Sequence, residues 1–152
     1  MDDKDLQIVR ELQKNGRLTN LELAERVNLS PSPCLRRVKK LERRGVIRGY
    51  TAVVDQGLYG LPITVFIRIR LERHAEEHVG VFEREIAAVD EVLDCYLMTG
   101  DADYLLRVIM PSLESYEAFI RTRLQRIPGV ASIDTGFAYG TVKQTHVFPK
   151  PE

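Results

Sequence analysis

The sequence predicts an α+β chain in two parts: a three-helix module built around a helix–turn–helix, then a β-α-β-β-α-β unit. Three observations predict it. Residues 19–44, TNLELAERVNLSPSPCLRRVKKLERR, read as two short helices around a tight turn. From Ile63 onward the apolar period changes from helical to alternating. The charge is also uneven. Residues 1–54 hold 12 Lys/Arg against 7 Asp/Glu and residues 55–152 hold 10 against 15, although the formal net charge is zero. A basic front and an acidic back imply that the front meets phosphate and the back does something else.

The first helix is expected over residues 2–14, with Leu6, Val9 and Leu12 on one face. Asp2, Asp3 and Asp5 favour its positive dipole end, and Asn15-Gly16 ends it. Thr19 with Glu22 is a capping box that starts the second helix, whose apolar side is Leu21, Leu23, Ala24 and Val27. Asn28 tolerates a left-handed backbone and Leu29 closes the corner. Ser30 is expected to cap a third helix with Pro31 at its first position. There Leu35, Val38 and Leu41 are expected to face inward, leaving Arg36, Arg37, Lys39, Lys40, Arg43 and Arg44 on the surface.

A short basic helix held at an angle by another fits the DNA major groove. The plainer alternative is a solvated helical hairpin in some other all-α domain. Ser32, Pro33, Arg36, Arg37, Lys39 and Lys40 are the candidates for meeting double-stranded DNA. An Arg fork matches guanine O6/N7, whereas Lys suits phosphate. Arg43 and Arg44 could equally complement the helix dipole, and Lys39 could point to solvent. After Gly45, VIRGYTAVVD is β-branched and aromatic, hence extended, either as a wing beside DNA or as the strand leading out.

In the back half, Ile63, Val65, Ile67, Ile69 and Leu71 alternate with Thr64, Phe66, Arg68 and Arg70, a strand pattern. A helix is expected over 76–89 with Val79, Phe82, Ile86 and Val89 on one stripe. Strands follow at 92–98 and 104–110 around the turn TGDA. Ser112 caps a helix with Leu113, Tyr116, Ile120 and Leu124 on one face, stopped by Pro128-Gly129, and a last strand covers about 130–139. This is the ferredoxin-like split-βαβ order, with helices on one face of an antiparallel sheet. The other face needs a cover, for which a second subunit is the obvious candidate. The expected domains are thus a helix–turn–helix at 1–54, a linker at 55–62 and a ferredoxin-like domain at 63–152.

The hairpin Thr99-Gly100-Asp101-Ala102-Asp103-Tyr104 places two carboxylates beside a glycine that lets backbone approach a ligand. Asp101 and Asp103 could hold an amino acid's ammonium while backbone N–H groups hold its carboxylate. Equally, the two Asp residues could cap their own turn.

Other chemistry is poorly supplied. His74 and His78 stand at i, i+4 and could chelate a metal, but they lie among Glu76 and Glu77 at a polar helix start with no third ligand. Cys34 and Cys95 lie one in each half, too few for a disulfide framework and badly spaced for zinc. No nucleophile–base pair or phosphate loop is evident, so no enzyme, metal or cofactor is expected. There is no apolar run near 18 residues, and MDDKDLQ lacks a signal peptide's apolar stretch, so a cytoplasmic, nucleoid-associated protein without a membrane partner is expected.

The sequence resembles the Lrp/AsnC (leucine-responsive, "feast/famine") transcription regulators over nearly its whole length. In the front half the resemblance lies in NGRLTNLELAERVNLSPSPCLRRVKKLERRGVIRGYTAVVD, SPSPCLRRV being the most specific part. In the back half it lies in CYLMTGDADYLLRVIMP and RIPGVASI. It implies a winged helix–turn–helix for the first domain and an effector and oligomerisation role for the second. It implies dimers built through the ferredoxin-like domain, assembling to tetramers or octamers, with a free amino acid bound near the hairpin between dimers. By position it implies an effector site of Met98, Gly100, Asp101, Asp103 and Tyr104, with Leu97 and Leu113 in or beside the response region. Gly136, Phe137 and Ala138 are implied from a neighbouring subunit. The chain departs from many relatives in having Asn28 where they have Gly, and two glycines in Thr135–Gly140. Two readings follow: an amino-acid-responsive, sequence-specific regulator, or an architectural protein that wraps DNA without an effector.

Overall fold

The computed structural model describes residues 1–72 and 76–151. Its chain divides into two units, residues 1–53 with 142 onward, and residues 54–141. The C-terminal segment, placed by sequence in the second domain, thus groups with the first unit.

The first unit holds α1 (Asp3–Lys14), α2 (Asn20–Arg26) and α3 (Pro31–Arg43). Two helices start with full capping boxes. The Asp5 amide donates to Asp2 Oδ1 at 2.8 Å and the Asp2 amide returns to Asp5 Oδ2 at 3.4 Å. Thr19 and Glu22 do the same for α2, as their spacing predicts. The turn between α2 and α3 is made by Asn28 at φ 52°, the left-handed conformation expected of it. Lys4 reaches across from α1 to cap it, donating to the Val27 carbonyl at 2.6 Å.

Ser30 occupies the N-cap of α3 but makes no side-chain cap bond, contrary to expectation. A cap hydroxyl accepts from the second or third helical N–H; Pro33 removes the third, and the second, Ser32 N–H, makes no bond to it. Cys34 N already bonds the Ser30 carbonyl, so Ser32 N–H is the one orphan donor of this turn.

The core of this unit is Ile8, Leu23, Ala24, Val27, Cys34 and Leu41, each at most 2% exposed. Three expected positions differ. Leu21 and Leu35 lie outside at 58% and 42% exposure. The inward row of α3 is Cys34, Val38 and Leu41, spaced 4 and 3, one residue earlier at its start than the Leu35 row. On α1 the fully buried residue is Ile8, and Leu6, Val9 and Leu12 only flank it. The run VIRGYTAVVD forms no strand among the described residues.

The second unit contains β1 (Ile63–Leu71), α4 (Glu76–Ala87), β2 (Val92–Leu97), β3 (Tyr104–Met110), α5 (Leu113–Thr122), a short 3-10 turn (Leu124–Arg126) and β4 (Val130–Phe137). The strands pair antiparallel in the order β2-β3-β1-β4, the ferredoxin-like arrangement. Register pairs Ile69 with Tyr104 and Ile67 with Leu106, so the odd residues of β1 and the even residues of β3 share the helix-covered face. That face buries Val65, Ile67, Ile69, Tyr104, Leu106, Val108 and Met110 against Phe82, Ile86, Phe119 and Leu124. Each such large side chain contributes about 1.5–3 kcal/mol of burial. Val79 and Leu113, expected on the helix stripes, are exposed, and Phe119 fills the place at α5.

The helix expected to run to Pro128-Gly129 ends earlier, at Thr122, with the 3-10 turn following it. Gly129 holds φ 85°, and a Cβ there would lie 2.3 Å from His78 Cγ, so the turn into β4 admits no side chain at that position. His78 Nδ1 has no hydrogen-bond partner among the described residues. His74, the other half of the i, i+4 pair, lies outside them. No helix of the described residues is long and apolar enough to cross a membrane.

Candidate nucleic-acid interface and ligand pocket

On α3 the burial of Cys34, Val38 and Leu41 dictates what remains outside. Ser32, Leu35, Arg36, Lys39, Lys40 and Arg43 are exposed, and Pro33 is half-buried. Ser32, Arg36, Lys39 and Arg43, spaced 4, 3 and 4, form one stripe with Leu35 beside it. Arg36, Lys39, Lys40 and Arg43 have no ion-pair partner among the described residues.

Arg37 differs from the other candidates. Its Nη1 donates to Asp2 Oδ2 and Asp5 Oδ1, both at 2.7 Å, tying α3 to α1. The two carboxylates raise the Arg37 pKa, and Asp2 is lowered, first by the Asp5 amide and then by Arg37. Asp5 is the one charged residue buried among the described residues, 5% exposed. Arg37 therefore ties the helix in place; its Nη1 is engaged by the two carboxylates of α1 and its N-cap. Beyond α3, Tyr50 donates to Glu42 Oε1 at 2.9 Å, and burial together with that carboxylate pushes its phenol up to about 12. Its ring edge would contact a side chain at Gly16, at 3.6 Å, so Tyr50 fixes where the chain leaves the helices.

In the second unit, the sheet face away from the helices carries Phe66, Arg68, Asp94, Tyr96, Leu105, Arg107 and Asp134. Two ion pairs lie on it, Arg68–Asp134 at 2.9 Å and Arg107–Asp94 at 2.5 Å. At the hairpin end of this face is an open pocket of about 470 Å³ lined by Phe66, Arg68, Met98, Thr99, Asp101, Ala102, Leu105 and Gly136. An adjoining recess shares Arg68, Asp101 and Ala102 and adds Arg70 and Ser132.

Of the effector residues expected by position, the pocket brings together Met98, Asp101 and Gly136. Asp103 does not line it: its Oδ2 accepts from Leu71 N at 2.7 Å and its amide donates to the Ile69 carbonyl at 2.9 Å. It fastens the hairpin to the end of β1, a contact with another strand and not a cap on its own turn. Tyr104 is turned to the opposite face, 2% exposed, with its hydroxyl donating to Glu83 at 2.8 Å. Burial, then Glu83, raises its pKa strongly. Gly100 supplies the turn at φ 108°. Phe137 stacks edge-on against Tyr116 on the helix side, and Ala138 donates its amide to the Thr64 carbonyl. Leu97 and Leu113 are exposed away from the pocket. The lining residues not anticipated, Phe66 and Arg68 above all, follow from strand parity: if the odd residues of β1 are core, the even ones face away.

Comparison with known proteins agrees with both halves. Residues 1–48 match the family model "Winged helix-turn-helix DNA-binding" and residues 64–148 match "Lrp/AsnC ligand binding domain". The leucine-responsive regulatory proteins of Haemophilus influenzae and Escherichia coli K12 are each 40% identical over 146 residues, covering 96% of this chain and 88% and 89% of their own. A Neisseria meningitidis transcriptional regulator solved as an L-Met complex superposes with TM-score 0.94 at 38% identity, covering 98% of this chain and 96% of that one. An AsnC family regulator from Agrobacterium tumefaciens gives 0.93 at 37%, covering 98% and 97%. These relatives are transcriptional regulators, not enzymes. With a basic helix–turn–helix in one unit and a ligand-binding fold in the other, this chain belongs to the Lrp/AsnC family of transcriptional regulators.

Proposed function

We propose that the protein is a sequence-specific regulator whose DNA affinity is set by a free amino acid with an apolar side chain. The observation that carries the DNA half is the outer stripe of α3. Arg36 is the base reader, through a bidentate fork to guanine, and Lys39, Lys40 and Arg43 take phosphates. Ser32 meets the backbone at the helix front, where its own N–H is free for a phosphate oxygen. Leu35 supplies the apolar contact that a thymine methyl favours. Arg37 keeps this surface at a constant angle to α1.

The ligand half rests on the pocket's chemistry. Phe66, Met98 and Leu105 offer an apolar wall, Asp101 a partner for an ammonium, and Arg68 one for a carboxylate. The volume is ample for one amino acid. The L-Met complex of the Neisseria regulator supports this ligand class. A second copy laid over the same sheet face would enclose the pocket and cover Phe66 and Tyr96, which are 41% and 53% exposed. We therefore read the protein as a homodimer, assembling to tetramers or octamers, at work on the nucleoid in the cytoplasm. Two reading heads then expect half-sites about one helical turn, or a multiple, apart.

A thermal-shift screen of the twenty amino acids tests the ligand half. A ligand at 100 times its Kd adds about 2.7 kcal/mol of stability. Selective stabilisation by methionine, leucine or a close analogue is the expected result. No response to any of the twenty, with DNA binding intact, would replace the sensor by the architectural reading.

A further inference from the structure

The face of α1 turned away from the DNA-reading helix holds the chain's own C-terminal segment. Gln13 reads its backbone with both ends of one amide: Nε2 donates to the His146 carbonyl at 2.9 Å, and Oε1 accepts from the Phe148 amide at 3.2 Å. One turn earlier, Arg10 Nη1 donates to the Phe148 carbonyl at 3.3 Å, and near the helix start Asp3 faces Lys150 at 3.8 Å. Val147 is half-buried while His146 and Phe148 are exposed, the alternation of an extended segment lying on a surface. All the hydrogen bonds go to main-chain groups of residues 146 and 148. Apart from the Asp3–Lys150 pair, the site therefore recognises an extended backbone rather than particular side chains.

This contact changes the connectivity of the molecule. The chain leaves the DNA-binding unit after residue 53 and re-enters it from residue 142, so the unit is joined to the ligand-binding unit by two covalent passages instead of one. The second passage starts at the end of β4, directly after Gly136, which lines the pocket. It ends on α1, which Arg37 locks to α3 through Asp2 and Asp5.

We infer that Asp3, Arg10 and Gln13 form a docking site for residues 146–150, and that the docked segment is a strap that restrains the reading head and raises DNA affinity. A head on a single linker must lose more freedom when it seats on DNA than one already tied at two points. The inference rests on DNA binding by the first unit and not on amino-acid sensing, so every measurement is made without amino acid.

The test uses the full chain and a duplex selected by the wild-type protein from a random pool, at fixed salt. Gln13→Ala weakens binding about fivefold, and hydrogen exchange at the Phe148 amide rises to that of open chain. Gln7→Ala, on the exposed side of α1 and touching none of the strap, changes neither. A chain ending at Thr141 weakens binding by the same factor, and adding Gln13→Ala to it weakens binding no further, since the two changes remove one contact. Should the shortened chain not fold, Phe148→Pro takes its place in the cycle, because it deletes the amide that Gln13 accepts from. The inference is overturned by affinity within twofold of wild type in Gln13→Ala, by an equal loss from Gln13→Ala in the strapless background, or by an unprotected Phe148 amide in wild type.

Discussion

Arg37 on α3 and Asp5 on α1 form an ion pair, Nη1 to Oδ1 at 2.7 Å, with the Asp5 side chain only 6% exposed. A cation that looks like a DNA contact in the sequence is thereby a link between two helices. The distinction is measurable through salt. Each phosphate contact steepens the dependence of log K on log salt by about 0.9. Lys40→Ala should lower the slope by about one and weaken binding evenly across sequences. Arg37→Ala should leave the slope unchanged and lower the melting temperature. A slope change for Arg37→Ala equal to that for Lys40→Ala would return Arg37 to the DNA surface.

Acid should undo the same domain. Asp2 is lowered chiefly by the Asp5 amide, Glu11 chiefly by Lys14, and Glu22 chiefly by the Thr19 amide. A carboxylate lowered by folding adds stability above its ordinary pKa, and that stability is lost as pH falls through the folded value. The melting temperature should therefore hold from pH 7 to 5 and fall from about pH 4.5 downward. Glu22→Gln, which keeps an acceptor but does not titrate, should make the fall smaller.

Pro128-Gly129 was legible as a break before the last strand, but its steric role was not. Gly129→Ala meets both a φ of 85° and the His78 ring. The combined cost should be about 3 kcal/mol, read by chemical denaturation. Gly100→Ala carries the strained φ with nothing within 4 Å, so it should cost about 1 kcal/mol.

The two hairpin carboxylates should separate cleanly. Asp103 accepts the Leu71 amide, and asparagine can keep that bond, so Asp103→Asn should bind an amino acid within about threefold of wild type. Asp101 is exposed at the pocket, so Asp101→Asn should weaken binding about tenfold or more. Calorimetry with methionine checks both, and the reverse order would make Asp103 the ammonium partner.

What the sequence revealed was whatever depends on near neighbours. Thr19 with Glu22, Asn28 at its turn, and the alternation from Ile63 to Leu71 are local chemistry, and the structure keeps all three. Errors arose where two neighbouring residues were equally apolar. Cys34 and Leu35 could each start the inner row of α3, and packing against α1 and α2 buries Cys34 and leaves Leu35 outside. YLLRVIM has no polar alternation, so the register of Ile69 against Tyr104, not composition, sends Tyr104 into the core. Arg37 with Asp5, and Gln13 with Phe148, join residues 32 and 135 positions apart. The second pair is held through main-chain atoms, which leave no pattern in residue types. Pocket residues Phe66 and Arg68 were readable in principle from strand parity, whereas Gly136, implied by the resemblance as a neighbouring subunit's residue, is brought to this chain's own pocket by the β1–β4 register.

An amino acid is expected to change how this protein holds DNA. The most direct test is a titration of the selected duplex and a scrambled duplex at one salt concentration, with and without saturating methionine or whichever amino acid stabilises the fold. The ligand should change affinity for the selected duplex about fivefold or more while the scrambled duplex responds little. Equal affinity for both duplexes, untouched by any amino acid that binds, would contradict it.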